Sequence, residues 1–168
     1  MGLSHDRHMS VDIPRNSVVL AYLTRSPRQN RVLLPIVVRP EEVEDPYTTL
    51  GAHPEVVQRI WDELGKALQQ DCRSVIHSTP ALAHPGNGTI FAVALGTGYG
   101  LRLPPSLVKS AVRRGARISV QYTDGDDMNT HRDLGPDWVL GAWLADEPGW
   151  CINAFEYFGG LGDTEPKS

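Results

Sequence analysis

The sequence predicts a single α+β domain: a largely antiparallel sheet of about five to six strands with two or three helices packed on it. Three observations lead there. Runs rich in Val, Ile and Leu arrive in pairs separated by short turn clusters, apolar residues at helical spacing occur between those pairs, and 168 residues suit one core of ordinary size. With 40% hydrophobic and 21% charged residues the chain is far from the compositions that stay disordered.

Taken in order, residues 1–10 are polar, include His5 and His8, and read as a disordered arm or tag remnant, leaving 11–160 as the domain and 161–168 as a loose tail. Ser17–Thr24 and Arg31–Arg39 read as a strand pair around the turn cluster Ser26–Asn30, with Pro35 placing the second strand at an edge or bulge. From Pro54 the period changes: Val57, Ile60, Trp61, Leu64 and Leu68 define a helix that Pro54 and Glu55 suit as a first turn. Arg73–His84 and Thr89–Leu103 read as two strands around Pro85-Gly86-Asn87-Gly88, where Asn-Gly is a strong hairpin signal. A short helix follows from Pro104-Pro105-Ser106 through Arg114, with Gly115 at its end. Ala116–Tyr122 and Trp138–Ala145 are strand candidates, the latter placing Trp138 and Trp143 on opposite faces. Asp146-Glu147-Pro148 opens a last helix with Cys151, Phe155 and Phe158 on one side, ended by Gly159-Gly160.

Charge is segregated along the chain. Residues 1–40 hold six Arg against two Asp, 41–71 eight acids against two bases, 72–121 six bases and no acid, and 122–168 ten acids against two bases. Lys109, Arg113 and Arg117 recur every four residues and, with Arg114, form a basic face if the helix extends so far. Such a face suits phosphate or an acidic partner, or else is solvated or answers the acidic segments of the same fold. Nucleic acid is not expected, because the pI is near 5.8 and no helix-turn-helix, RNA-binding or zinc-finger signature supplies base-reading residues. No apolar run approaches the ~20 residues that span a bilayer. Cys72 and Cys151 form no short-spaced pair, so the expected location is cytoplasmic.

Catalytic signals are sparse. Gly96-Thr97-Gly98-Tyr99-Gly100 leads into Leu-Arg-Leu-Pro-Pro rather than a helix, so it does not suit a dinucleotide or phosphate loop and reads as a bulged strand segment or ligand-facing loop. Asp124, Asp126, Asp127 and His131 offer donors for a hard cation, but the EF-hand register fails and the segment reads as an acidic turn. His77 or His84 is the candidate general base of a hydrolase, with Asp124, Asp126 or Asp133 to orient it or to hold a metal. Cys151 lies on an apolar stripe and reads as core, while Cys72 follows polar residues and reads as exposed. Of the four Trp, one of the Trp138–Ala145 pair is expected to face outward as a binding anchor. The expectation is a non-catalytic domain, of adaptor, chaperone or immunity type, that binds another protein, an acidic one if through Lys109, Arg113, Arg114, Arg117 and Trp143, with the acidic loop Asp124–Asp133 as the rival docking surface. No cofactor is expected, and a homodimer is compatible. The alternatives are a small hydrolase, metal-assisted or not, with a His/Asp site and a sensor for a small ligand.

Overall fold

The computed structural model describes residues 11–25, 37–118, 134–135 and 137–161. A 3-10 turn at Pro14–Asn16 runs into helix α1, Ser17–Arg25, and strand β1 is Val37–Val38. Helix α2, Pro54–Gln58, continues as a π-helical turn, Arg59–Leu64. Then come β2 (Arg73–Ile76), β3 (Thr79–Ala83), β4 (Ile90–Ala94), β5 (Tyr99–Arg102), helix α3 (Pro105–Arg113), β6 (Arg117–Ile118), β7 (Trp138–Leu140) and helix α4 (Glu147–Gly159). Among the described residues all pairings are antiparallel, in one seven-stranded sheet ordered β1-β2-β3-β4-β5-β7-β6. The α+β class and the antiparallel sheet are as the sequence predicts, and the strand total includes two two-residue strands at the sheet edges. Because β7 lies between β5 and β6, those two run parallel and α3 is the crossover that joins them.

The sheet is covered on both faces. One face carries Val75, Leu82, Ala92, Tyr99, Leu101 and Val139 against the α2 segment, α3 and α4, while the other carries Ile76, Ala81, Ile90, Val93 and Trp138 against α1. Double burial explains why β3 and β4 are apolar at nearly every position. A register shift between Leu82 and Ala83 leaves Phe91 as an extra residue on β4 and turns it toward the larger core, where its ring meets Phe155 edge-on at 6.5 Å.

Several elements differ from the sequence reading, each for an identifiable reason. Ser17–Thr24 is helix, not strand: Val19, Tyr22 and Leu23 are its buried stripe at i, i+3 and i+4, a period obscured in the sequence by the neighbouring exposed Val18. Asn16 anchors its start, donating to Val11 O and Gly88 O (both 2.8 Å) and accepting from Ile90 N (3.1 Å). Arg73–His84 is two strands, because His77 and Ser78 adopt left-handed conformations, φ 48° and 63°, that make a tight hairpin turn without the usual Asn-Gly. Gly96–Gly98 is the β4–β5 turn rather than a strand bulge; Gly96 has φ 90°, and its carbonyl accepts from His53 N at the start of α2. The strand begun at Trp138 stops at Leu140, so the opposite-face argument for Trp138 and Trp143 does not apply. Ala116–Tyr122 contributes Arg117–Ile118 as strand, and Arg31–Arg39 contributes Val37–Val38; residues 31–36 and 119–122 of those segments lie outside the described residues, as do the arm, the Ser26–Asn30 turn and all but the first residue of the tail. The helices begun at Pro54, Pro105 and Glu147 lie where the sequence places them, with Leu68 falling beyond the Gly65 end of the first.

Candidate partner-binding surface

A buried polar cluster lies where the π-helical turn, β5 and the start of α4 meet. Arg59, Tyr99 and Glu147 are respectively 8%, 1% and 0% exposed. The Tyr99 hydroxyl donates to Glu147 Oε1 in a short contact and accepts from Arg59 Nε at 3.2 Å and from Trp143 N at 2.9 Å. Glu147 also accepts from Arg59 Nη2 at 3.0 Å and, through Oε2, from Ala142 N at 2.8 Å. Arg59 donates further to Leu144 O at 2.8 Å and to Glu63 Oε1 at 2.7 Å. Each buried oxygen therefore has its partner, which is the condition for such a network to be tolerated in a core. Burial and the bond to Glu147 push the Tyr99 phenol well above its ordinary range. Burial opposes the Arg59 charge, but its bonds to Glu63, Tyr99 and Glu147 outweigh that and keep the guanidinium protonated.

The cluster's lid is Trp143, in the loop between β7 and α4. Its φ is 59°, a left-handed conformation uncommon for a bulky residue, and it is 48% exposed. The ring stands edge-on to Tyr99 at 5.3 Å, with the Arg59 guanidinium 5.5 Å from its centroid. A Cβ at Gly141 would fall 2.0–2.3 Å from three carbons of the Tyr99 ring, so only glycine lets the chain pass there without a shift.

The basic residues adjoin this loop. Helices α3 and α4 lie side by side in opposite directions: Ser106 and Leu107 line a groove of about 490 Å³ with Asn153 and Tyr157. At the other end Arg113, Arg114 and Asp146 line one of about 410 Å³ that also includes Leu144, next to Trp143. Arg114 ends α3 and pairs with Asp146 at 2.5 Å. Lys109 and Arg113 are exposed on successive turns of α3, but Arg117 lies on β6 opposite Leu140, so the sequence's expected single helical face of Lys109, Arg113 and Arg117 is divided between a helix and a strand. Val112, 39% exposed, adds an apolar spot beside Arg113. The structure thus places Arg113 and Arg114 at the groove next to the Trp143 loop, with Lys109 one turn back on α3 and Arg117 across the strand pair.

His77 and His84 do not converge. His77 lies in the β2–β3 turn and His84 beyond the far end of β3, separated by the length of that strand. His84 stacks on Phe155 at 4.5 Å, and its Nδ1 accepts from Gly86 N, which is a packing role. His53 caps α2 by accepting from Glu55 N. Asp124, Asp126, Asp127, His131 and Asp133 lie outside the described residues. Among the described residues no three His, Cys, Asp or Glu side chains gather as a metal site. Cys151 is buried as expected, but Cys72 is buried too, correcting its expected exposure; burial first and Asp71 second push its thiol up to about 12. The Gly96–Gly98 turn lines neither groove along α3 and α4, nor the cleft of about 230 Å³ formed by Arg15, Val18, Arg102, Asp137 and Trp138.

The sequence reading missed Arg59, Tyr99 and Glu147. Arg59 sat inside a helical apolar stripe and Glu147 looked like a first-turn carboxylate, so only a charge at a core-facing position hinted at either. Fold and site together define an α+β domain that carries an exposed aromatic over a fully satisfied buried network, beside a basic helix end. Comparisons with protein-family models, with curated proteins and with solved structures gave no match. Among the described residues no helix is long and apolar enough to cross a membrane.

Proposed function

We propose that the protein is a non-catalytic, cytoplasmic binding domain, of adaptor, chaperone or immunity type, that docks an acidic surface of another protein on the Trp143 loop and the end of α3. The observation that carries the reading is Trp143: a large aromatic held half-exposed on its own buried support, the type of residue that dominates interface energetics. Charge complementarity argues for the occupant. Lys109 and Arg113 have no ion-pair partner among the described residues, and Arg114, paired with Asp146, lies beside Arg113. The unbridged, buried thiols of Cys72 and Cys151 are compatible with a reducing compartment.

The test is native mass spectrometry of the protein drawn gently from its host's lysate, alongside Trp143→Ala and Lys109→Glu/Arg113→Glu. The expected result is a stoichiometric protein companion that both variants lose while keeping the wild-type circular dichroism spectrum. A companion retained by both variants, or a bare chain carrying only a metal or small-molecule mass, overturns the proposal.

A further inference from the structure

The loop that displays Trp143 is set from beneath. Between Gly141 and Asp146, the Ala142 N–H, the Trp143 N–H and the Leu144 carbonyl each bond to a different side chain of the buried cluster: Glu147, Tyr99 and Arg59. These three side chains come from α4, β5 and the π-helical turn, so the loop is tied to three parts of the fold at once. Glu147, which opens α4, also accepts from Tyr99 and Arg59, so the ties share one carboxylate. At φ 59° the Trp143 backbone is in a region where a bulky residue stays only when its surroundings over-determine it. The ring then rests against the Tyr99 ring and the Arg59 guanidinium instead of ranging through solvent.

We infer that Tyr99 and Glu147 are positioning residues that hold Trp143 in one orientation before any partner arrives, so that the anchor is presented preformed. A partner then meets an aromatic already ordered, and association avoids the entropy of immobilising it. The use made of the ordered ring rests on the binding proposal, whereas the order itself is measurable on the protein alone.

Amide exchange and the indole resonances, read by NMR, test it with Tyr99→Phe, which removes the hydroxyl and keeps the ring, and with Glu147→Gln, which keeps the shape and sets an amide donor among donors. In the wild type the Trp143 and Ala142 amides should exchange at least 100-fold more slowly than in an unstructured chain. Each variant should accelerate them at least ten-fold, with β3 and β4 amides unchanged and the Trp143 indole shifted toward its unstructured position. Unstructured exchange rates in the wild type, or wild-type behaviour in both variants, overturn the inference. Should neither variant fold, the wild-type Trp143 backbone order parameter decides: a value equal to that of β4 supports the latch, and one below about 0.6 sinks it. A mobile Trp143 whose loss still abolishes the companion would end the latch and spare the binding proposal, and a rigid Trp143 that no companion needs would do the reverse.

Discussion

Gly141 shows how much one hydrogen atom can decide. The Tyr99 ring occupies the space a Cβ would need, and that ring supports both the buried network and Trp143. Gly141→Ala should therefore force Tyr99 or the loop aside at a cost of about 1–3 kcal/mol, the range typical of overpacking. Urea denaturation checks this: the midpoint should fall with the slope unchanged, and an unaltered midpoint would show that the ring yields freely. No residue-level signal in the sequence marks Gly141, because a glycine forbidden a side chain by a neighbour 42 positions away looks like any other. Trp143 was more legible. An aromatic expected to face outward does so, but through a left-handed backbone after the strand has ended instead of through strand alternation.

At the scale of elements, α4 is joined to the β3–β4 turn by two residues. Asn87 donates to Phe158 O at 2.7 Å and to Leu161 O at 3.3 Å, satisfying carbonyls at the helix end, and His84 stacks on Phe155 with its Nε2 against Gly159. The Asn-Gly pair read from the sequence as a hairpin signal thus also works as a helix cap. Burial holds the His84 imidazole below its ordinary pKa. The unfolded chain therefore binds the proton more readily than the folded one as pH drops below about 6.5, so His84 weakens the fold on acidification and has no effect on stability well above that pH. The thermal midpoint should fall between pH 7.5 and 5.5, and His84→Asn, which keeps an acceptor for Gly86 N–H, should reduce that fall. An equal fall in the variant would assign the effect elsewhere. Legibility varied by element for a physical reason: α2, α3 and α4 announce themselves by a proline start and a periodic stripe, whereas in α1 the exposed Val18 breaks the stripe into an apolar run that suits strand and helix equally.

For the whole molecule, charge segregation in sequence becomes segregation in space only in part. Arg39 pairs with Glu41 and Asp71, Arg73 with Asp62, and Arg114 with Asp146, so basic and acidic segments partly answer each other within the fold. Lys109 and Arg113 of α3 are left without an ion-pair partner among the described residues, so the proposed docking through them would depend on salt. Affinity for the companion protein should fall as salt rises from 50 to 500 mM, and Lys109→Glu/Arg113→Glu should flatten that dependence, both read by titration calorimetry. A salt-independent affinity would remove the basic rim from the interface.

By itself the sequence determined the α+β class, the antiparallel pairing and the three proline-initiated helices, because period, turn chemistry and helix caps are local and act within a few residues. It also marked Trp143 and the basic residues of α3. Only the tertiary structure decided that Ser17–Arg25 is a helix, that His77 and Ser78 turn the chain, and that Arg59, Tyr99 and Glu147 meet. Those outcomes depend on what packs against each segment: a helix stripe shows itself by what it buries, and a charged residue in a core is tolerated only where partners 40 and 88 positions away complete its hydrogen bonds.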